Sequence, residues 1–321
     1  MDTVSIIMPV YRVEAWLRRA LDSLVGQTYP QLEIFLVDDG SPDGSGAICD
    51  EYAKKDPRVK VLHQKNAGVS AARNAALDRV TGDWIAFCDG DDWYEPDYVE
   101  KMLSAAQKEG ADLVICNYQL AYDDRPPASF ESLAGLVGKD TRYLVACGSL
   151  YSPTRLIKRD LLERSGVRYP LGCKQSEELP VLPVLTRYAH KVAILDAPLY
   201  NYYQRSDGTS ASNANPDREV HVTKSLACLK AALGPGYEKE FEYHVIYQLI
   251  YGQLLHLCKQ KASRRELKEK IRAYQAEYPQ FRKNPYIGQL GRAKNIFLLL
   301  ADKKCVTGLR LLAWIHRRIV H

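Results

Sequence analysis

The chain has 321 residues, a net charge of +5 and an apolar fraction of 46%, long enough for two domains, or one large domain with an appendage, around a proper core. No window approaches the roughly 18 consecutive apolar residues of a spanning helix, and the apolar start Ser5-Ile6-Ile7-Met8 stops at Pro9, unlike a signal peptide. The net charge conceals an asymmetry. Residues 259–321 carry 16 Lys and Arg against 4 Asp and Glu, whereas the preceding 258 carry 28 against 35, an acidic body joined to a basic tail. Eight cysteines without CxxC pairs or metal-ligand spacing read as small hydrophobes in a reducing compartment, so a cytoplasmic protein is expected.

The first half alternates strand and helix patterns. Residues 4–8 form a short apolar run ended by Pro9. From Val13 the apolar residues Trp16, Leu17, Ala20, Leu21 and Leu24 recur at helical spacing, closed by Gly26. Residues 34–37 and 59–62 predict two further strands, 69–79 a helix, 84–88 a strand, 97–109 a helix and 113–116 another strand. This order predicts an α/β fold with a mostly parallel, doubly wound, Rossmann-like sheet, whose ligands bind beyond the carboxyl ends of the strands.

Four consecutive strand ends carry polar groups suited to one ligand. They are Pro9-Val10-Tyr11 with Glu14, Asp38-Asp39 with Gly40 and Gly44, Asn66-Ala67-Gly68 followed by Arg73, and Asp89-Gly90-Asp91-Asp92. Singly, each reads as readily as a turn or a helix cap. Together they exceed what turn chemistry requires. Three carboxylates within four positions repel one another unless a cation shares them, and hard oxygen donors suit Mg²⁺ or Mn²⁺ with substrate phosphates completing the coordination. No G-x-G-x-x-G or P-loop follows the first strand, which disfavours dinucleotide binding and a glycine-cradled phosphate.

Residues 122–138 are loop-like, which divides the chain into 1–120 and 121–215, with a helical region at 216–321. The helical stripes after Pro216 read as core packing. The C-terminal segments 296–300 and 309–320, studded with Lys303, Lys304, Arg310, Arg317 and Arg318, fit either a basic amphipathic helix on the inner face of an anionic membrane or a docked helix with a solvated rim. Nucleic acid is not expected, because the body is acidic and no nucleic-acid module is visible.

Four motifs occur in order: residues 5–11, 37–43 (Val37-Asp38-Asp39-Gly40-Ser41-Pro42-Asp43), 66–74 (Asn66-Ala67-Gly68-Val69-Ser70-Ala71-Ala72-Arg73-Asn74) and 89–92. Densely over residues 3–117, the chain resembles the family-2 glycosyltransferases of the GT-A fold. The stretches around Arg155, Glu177-Glu178 and Tyr200-Asn201-Tyr202-Tyr203-Gln204-Arg205 resemble the bacterial capsule, lipopolysaccharide and teichoic-acid branch. The resemblance implies a UDP-sugar donor and a divalent metal. Asp39 and Arg73 would contact the base with Asp38 nearby, and Pro9, Val10, Tyr11 and Glu14 would line the nucleoside pocket. Asn66 and Gly68 would belong to the donor site. Asp89 would sit near the ribose, and Asp91, with Asp89 close by, would ligate the metal. Gly90 stands where the family usually has Ser, a change expected to be tolerated.

The second acid of an acidic pair is the branch's expected general base. Here the pair is Glu177-Glu178, so Glu178 stands at an Asp position with one extra methylene, which leaves either glutamate as the base. Two acids opening a helix, favoured by its dipole, are the plain alternative, and Pro180 fits a first helical turn under both readings. Arg205 would meet diphosphate, an anionic acceptor or a surface acid. The expected activity is inverting, metal-dependent transfer of a hexose or N-acetylhexosamine from a UDP-sugar to a surface polysaccharide or lipid-linked acceptor. The rivals are a nucleotide-sugar-binding protein without transfer, and a nucleotidyltransferase, whose Gly-rich basic triphosphate loop Pro9-Val10-Tyr11-Arg12 does not supply.

Overall fold

A computed structural model describes every residue except 130, 131, 174, 206–216, 320 and 321. Strand β1 (Val4–Val10) sets the frame, because its side chains alternate between two cores. Val4, Ile6, Met8 and Val10 join one apolar cluster, and Ile7 joins the other. Strands β2 (Leu32–Asp38) and β4 (Trp84–Phe87) repeat the alternation, with Ile34, Leu36 and Ala86 on the first side and Phe35, Val37, Ile85 and Phe87 on the second. Burial on both faces explains why these strands read as continuous apolar runs.

The remaining strands are β3 (Val59–His63), β5 (Trp93–Tyr94), β6 (Leu113–Ala121), β7 (Ala128–Ser129), β8 (Arg155–Lys158) and β9 (Val192–Tyr203). The sheet runs β3-β2-β1-β4-β8-β6-β9-β5, with β7 on β6. Pairs β1/β2, β1/β4, β2/β3 and β6/β9 are parallel. Strand β8 is antiparallel to both β4 and β6, between which it sits. Its sequence, Arg-Leu-Ile-Lys, is too short and too charged at its ends to announce a strand.

Helices α1 (Glu14–Val25), α2 (Ser45–Lys55) and α4 (Tyr98–Glu109) cover the first face; α3 (Val69–Leu77), α6 (Arg159–Ser165) and α7 (Leu182–Tyr188) cover the second. Helix α5 (Thr141–Cys147) and α8 (Arg218–Leu233) extend that second layer. Helix α9 (Glu238–Val245) continues through a π-helical stretch, Ile246–Gln253, into α10 (Leu254–Lys259). With α11 (Arg264–Glu277), α12 (Gly291–Asp302) and α13 (Val306–Ile319) it builds a third core of Ile246, Ile250, Leu254, Leu267, Ile271, Phe297, Leu298 and Leu309. Fully burying each such side chain contributes about 1.5–3 kcal/mol. The boundary drawn after residue 120 falls inside β6, and the boundary after residue 215, like Val320, lies outside the described residues. Among the described residues no helix is long and apolar enough to cross a membrane.

Candidate active site

The ends of β1, β2 and β3 are tied into one loop cluster. Pro9 and Val10 pair in register with Val37 and Asp38, and the Asp39 amide donates to the Val10 carbonyl at 2.9 Å. The Asp39 carboxylate accepts from the amides of Ala67 (2.9 Å) and Gly68 (2.8 Å) and from Gln64 Nε2 (2.7 Å), so it clamps the 64–68 loop. Gly40 permits this approach. Its φ is +69°, and a Cβ there would lie 2.9 Å from the Asn66 nitrogen.

Asp38 accepts from the Ser41 amide at 2.9 Å and pairs with His63 Nδ1 at 2.8 Å. Burial raises its carboxyl pKa, but Ser41 and His63 outweigh burial and hold it below the usual range. Glu14 accepts from the Gly44 amide at 2.8 Å. Tyr11, Asn66 and Gly68 remain exposed at the edge of the cluster.

The end of β4 carries two kinds of acid. Asp92 is enclosed: it accepts from Tyr200 Oη (2.7 Å), Tyr151 Oη (2.8 Å) and the Tyr203 amide (2.8 Å), and burial pushes its pKa well up. The Tyr200 hydroxyl also accepts from the Asp89 amide at 3.2 Å. Asp92 therefore knots the loop to β9, and the acids left facing outward are Asp89 and Asp91.

Asp91 pairs with Arg205 at 3.1 Å, and the Arg205 guanidinium lies 3.7 Å over the Trp16 ring. Burial and then the neighbouring Asp89 raise the Asp91 pKa against the pull of Arg205. A cation there would relieve the carboxylate of both penalties. Arg19, between Trp93 (3.9 Å) and Tyr203 (4.3 Å), steadies the loop through the Asp91 carbonyl at 3.4 Å. A Cβ on Gly90 would lie 2.9 Å from Val13 Cγ2, so a serine at this position needs different packing from Val13, the residue just before α1.

The third group gathers around Arg73, which α3 buries to 3% exposure. Its guanidinium lies 5.1 Å from the Tyr169 ring and spans Asp89 (3.1 Å), Glu177 (3.3 Å) and Glu178 (3.6 Å). Arg73 thus neighbours the acidic pair, while Asp39 is committed to the 64–68 loop. Glu178 also accepts from the Ser152 amide at 2.8 Å. Burial raises its pKa to about 7, with Arg73 opposing and Glu177 reinforcing.

The glutamates do not open α7 directly. They lie in a turn before it, entered through Ser176 in a left-handed conformation (φ 59°), a strain of roughly 1–3 kcal/mol for a residue with a side chain. The amides of Val181 and Leu182 both donate to the Glu178 carbonyl at 3.0 Å, which fixes the turn. Pro180 precedes the helix, and Pro183 occupies its first turn.

Several supports of the site had no local signal. Tyr151 and Tyr169 lie in irregular segments and Ser152 opens a single 3₁₀ turn, whereas Arg155, whose stretch carries part of the family resemblance, is buried at the start of β8 with its Nη1 donating to the Tyr151 carbonyl at 2.9 Å. Asn74, next to Arg73 in the 66–74 motif, brackets Tyr169 by bonds of 2.9 Å to its amide and its carbonyl. Among the described residues no three His, Cys, Asp or Glu side chains converge to hold a metal ion. Asp89 and Asp91 alone fit an ion such as Mg²⁺ or Mn²⁺ that takes one or two carboxylates and fills its remaining positions with phosphate oxygens and water.

The family described as Glycosyl transferase family 2 matches residues 5–165. EpsJ of Bacillus subtilis (strain 168), an uncharacterized glycosyltransferase, is 29% identical over 287 residues, 84% of this chain and 82% of EpsJ. GgaB of the same organism, a minor teichoic acid biosynthesis protein, is 31% identical over 218 residues, 64% of this chain but 23% of GgaB. The crystal structure of S. aureus TarS 1–349 in complex with UDP-GlcNAc superimposes with a TM-score of 0.72 over 98% of this chain and 92% of that chain, at 20% identity, which establishes the shared GT-A fold.

Proposed function

Because the chain belongs to glycosyl transferase family 2, we propose that it moves a hexose or N-acetylhexosamine from a UDP-sugar to a bacterial surface polysaccharide or its lipid-linked precursor, with inversion. The observation that carries the reading is the meeting of donor-side and acceptor-side acids on one arginine: Arg73 reaches Asp89 on one side and the Glu177-Glu178 pair on the other. A sugar held between them would have its diphosphate toward Asp89 and Asp91, and its anomeric carbon toward Glu178.

In this reading Glu178 takes the proton from the acceptor hydroxyl as that oxygen bonds to the anomeric carbon. The bond from that carbon to the diphosphate breaks in the same step, UDP leaves, and the centre inverts. A carboxyl with a pKa of about 7 is well matched to accept this proton near neutrality. Glu177, at 3.3 Å from Arg73, holds the arginine in place and adds to the charge that raises Glu178. Arg205, withdrawn from Asp91, would meet the leaving diphosphate. Mg²⁺ or Mn²⁺ held by Asp91 and Asp89 would offset the negative charge that develops on that diphosphate.

The UDP-GlcNAc in the TarS structure supports a UDP-linked donor, and the description of GgaB supports a teichoic-acid-like acceptor. A nucleotide-sugar-binding protein without transfer activity is the rival, since Glu178 stands where the family branch has Asp. Calorimetric titration with UDP, in Mn²⁺ and then in EDTA, beside sugar transfer by a Glu178→Gln variant separates them. The proposal expects metal-dependent UDP binding that Glu178→Gln retains while transfer falls by at least about a hundredfold. Unchanged transfer would remove Glu178 from the mechanism. Absence of UDP binding in either condition would sink the UDP-sugar donor.

A further inference from the structure

The outer faces of the last two helices do not belong to the site. On α13, Val306, Leu309 and Ala313 are buried in the helical core, whereas Leu311, Trp314 and Ile315 are 57%, 51% and 36% exposed. On α12, Phe297, Leu298 and Ala301 are buried, while Ile296 and Leu299 are 50% and 39% exposed. Of the eleven large apolar side chains exposed among the described residues, five therefore fall within residues 296–315. Single exposed apolar residues need no explanation, but a concentration on the outer turns of two consecutive helices does.

Basic residues flank both stripes. Arg292 and Lys303 lie one turn before Ile296 and one turn after Leu299, and both are exposed. Arg317 and Arg318 are exposed beside Trp314, with the Arg318 guanidinium 4.0 Å over its ring. Arg310 is anchored on the Ala262 carbonyl, which leaves its charge at the start of the same face. Residues 259–321 carry twelve more basic than acidic side chains, whereas the rest of the chain carries seven more acidic than basic.

We infer that the outer faces of α12 and α13 form a docking surface for an anionic phospholipid bilayer. Apolar side chains flanked by cations, with an amphipathic tryptophan among them, suit the boundary between acyl chains and anionic headgroups. Helix α13 has 14 residues, about 21 Å at the α-helical rise, so it lies along a bilayer and does not cross it. The acidic body is repelled by the same surface, so the charge asymmetry turns the helical region toward the membrane. Neutral bilayers lack the attraction that the arginines and lysines require. The inference goes beyond the transfer reading, and its experiment requires no donor, metal or activity.

The test is sedimentation of the full chain with vesicles of phosphatidylglycerol and phosphatidylcholine, and with vesicles of phosphatidylcholine alone, at 50 and 500 mM salt (roughly a threefold change in Debye length). The paired variants are Leu311→Ser with Trp314→Ser, and Arg317→Gln with Arg318→Gln. These side chains are exposed, and an unchanged circular-dichroism melt checks that each variant folds. The expected result is binding to the anionic vesicles that falls at least tenfold on neutral lipid and in high salt, and falls again in both paired variants. No sedimentation with anionic vesicles overturns the inference, as does equal binding to both lipids. A chain that light scattering shows to be a dimer, and that Leu311→Ser with Trp314→Ser makes monomeric, overturns it in favour of a second copy on this face.

Discussion

Arg73 is the residue on which the site's electrostatics turn. Its single guanidinium faces Asp89, Glu177 and Glu178, and its planar fork is what allows one side chain to serve all three. A lysine would offer a point charge on a flexible stem. Arg73 holds the Glu178 pKa down while burial and Glu177 hold it up, and the balance is about 7. The proposed transfer needs Glu178 ionised as the base, so it predicts that kcat/KM rises with pH through about 7 and levels off above it.

Replacing Arg73 by Met removes the opposing charge, so the rising limb should move to higher pH and kcat/KM at pH 7 should fall by at least about tenfold, with partial return in Arg73→Lys. The pH–rate profiles of the three proteins decide this. A limb that stays in place in Arg73→Met would detach Arg73 from Glu178. The linked stability effect has the opposite sense to that of an ordinary acid. The folded-state pKa is raised, so the contribution of Glu178 to folding is fully present below about 4.5 and is lost as pH rises through about 7.

Strand β9 shows how one element completes the site from a distance in sequence. Tyr200 lies on β9, yet its hydroxyl donates to Asp92 and accepts from the Asp89 amide, so the acidic loop after β4 takes its shape from a strand more than a hundred residues later. Tyr200→Phe would leave the buried Asp92 one donor short and free the Asp89 amide. The expected cost is about 1–3 kcal/mol in urea unfolding, together with weaker metal-dependent UDP binding. Unfolding at the wild-type midpoint would show that Tyr151 and the Tyr203 amide suffice.

The same dependence explains what the sequence revealed and what it withheld. The acidic stretches 38–39 and 89–91 were legible because each begins where an apolar run buried on both faces ends, which marks both the strand and its end. The enclosure of Asp92, the support of Glu178 by Ser152, and the Tyr169–Asn74 bracket were not legible, because each joins residues from separate elements through one side chain. Strand β8 was hidden for a different reason: four residues with charged ends carry no period to read. Helix α2, with buried Ile48, Cys49 and Tyr52, carries no readable period between the acidic loop and the third strand, because alanine, glycine and charge dilute its apolar stripe.

At the scale of the whole molecule, the helical region is joined to the α/β body where α9 meets α5, and His244 lies in that seam at 1% exposure. A carbonyl can only accept, so Nε2, 2.9 Å from the Val145 carbonyl, carries the proton of a neutral ring. Burial lowers the pKa of this histidine to about 4. An unfolded chain would protonate it near 6.5, so between these values the unfolded state binds more protons and folding weakens as pH falls. Integrated over that window the loss is on the order of 3 kcal/mol. Glu178 acts in the opposite sense between about 4.5 and 7, so the pH dependence of the wild type alone mixes the two.

A difference measurement separates them. His244→Gln keeps an N–H for Val145 but removes the titration, so urea unfolding of both proteins from pH 7 to pH 4 should show the wild type losing more stability than the variant, by on the order of 3 kcal/mol. A constant difference across that range would mean that His244 is not held neutral in the seam. If the difference appears, acid loosens the joint between body and helical region. Helix α7, which follows Glu178, packs against α5 of that joint and is also tied to α8, since Arg187 near its end donates to the carbonyls of Ala232 and Leu233 at the end of α8. Loss of transfer activity on acidification would then have two separable sources, protonation of Glu178 near pH 7 and release of this scaffold at lower pH. Only the second should respond to His244→Gln.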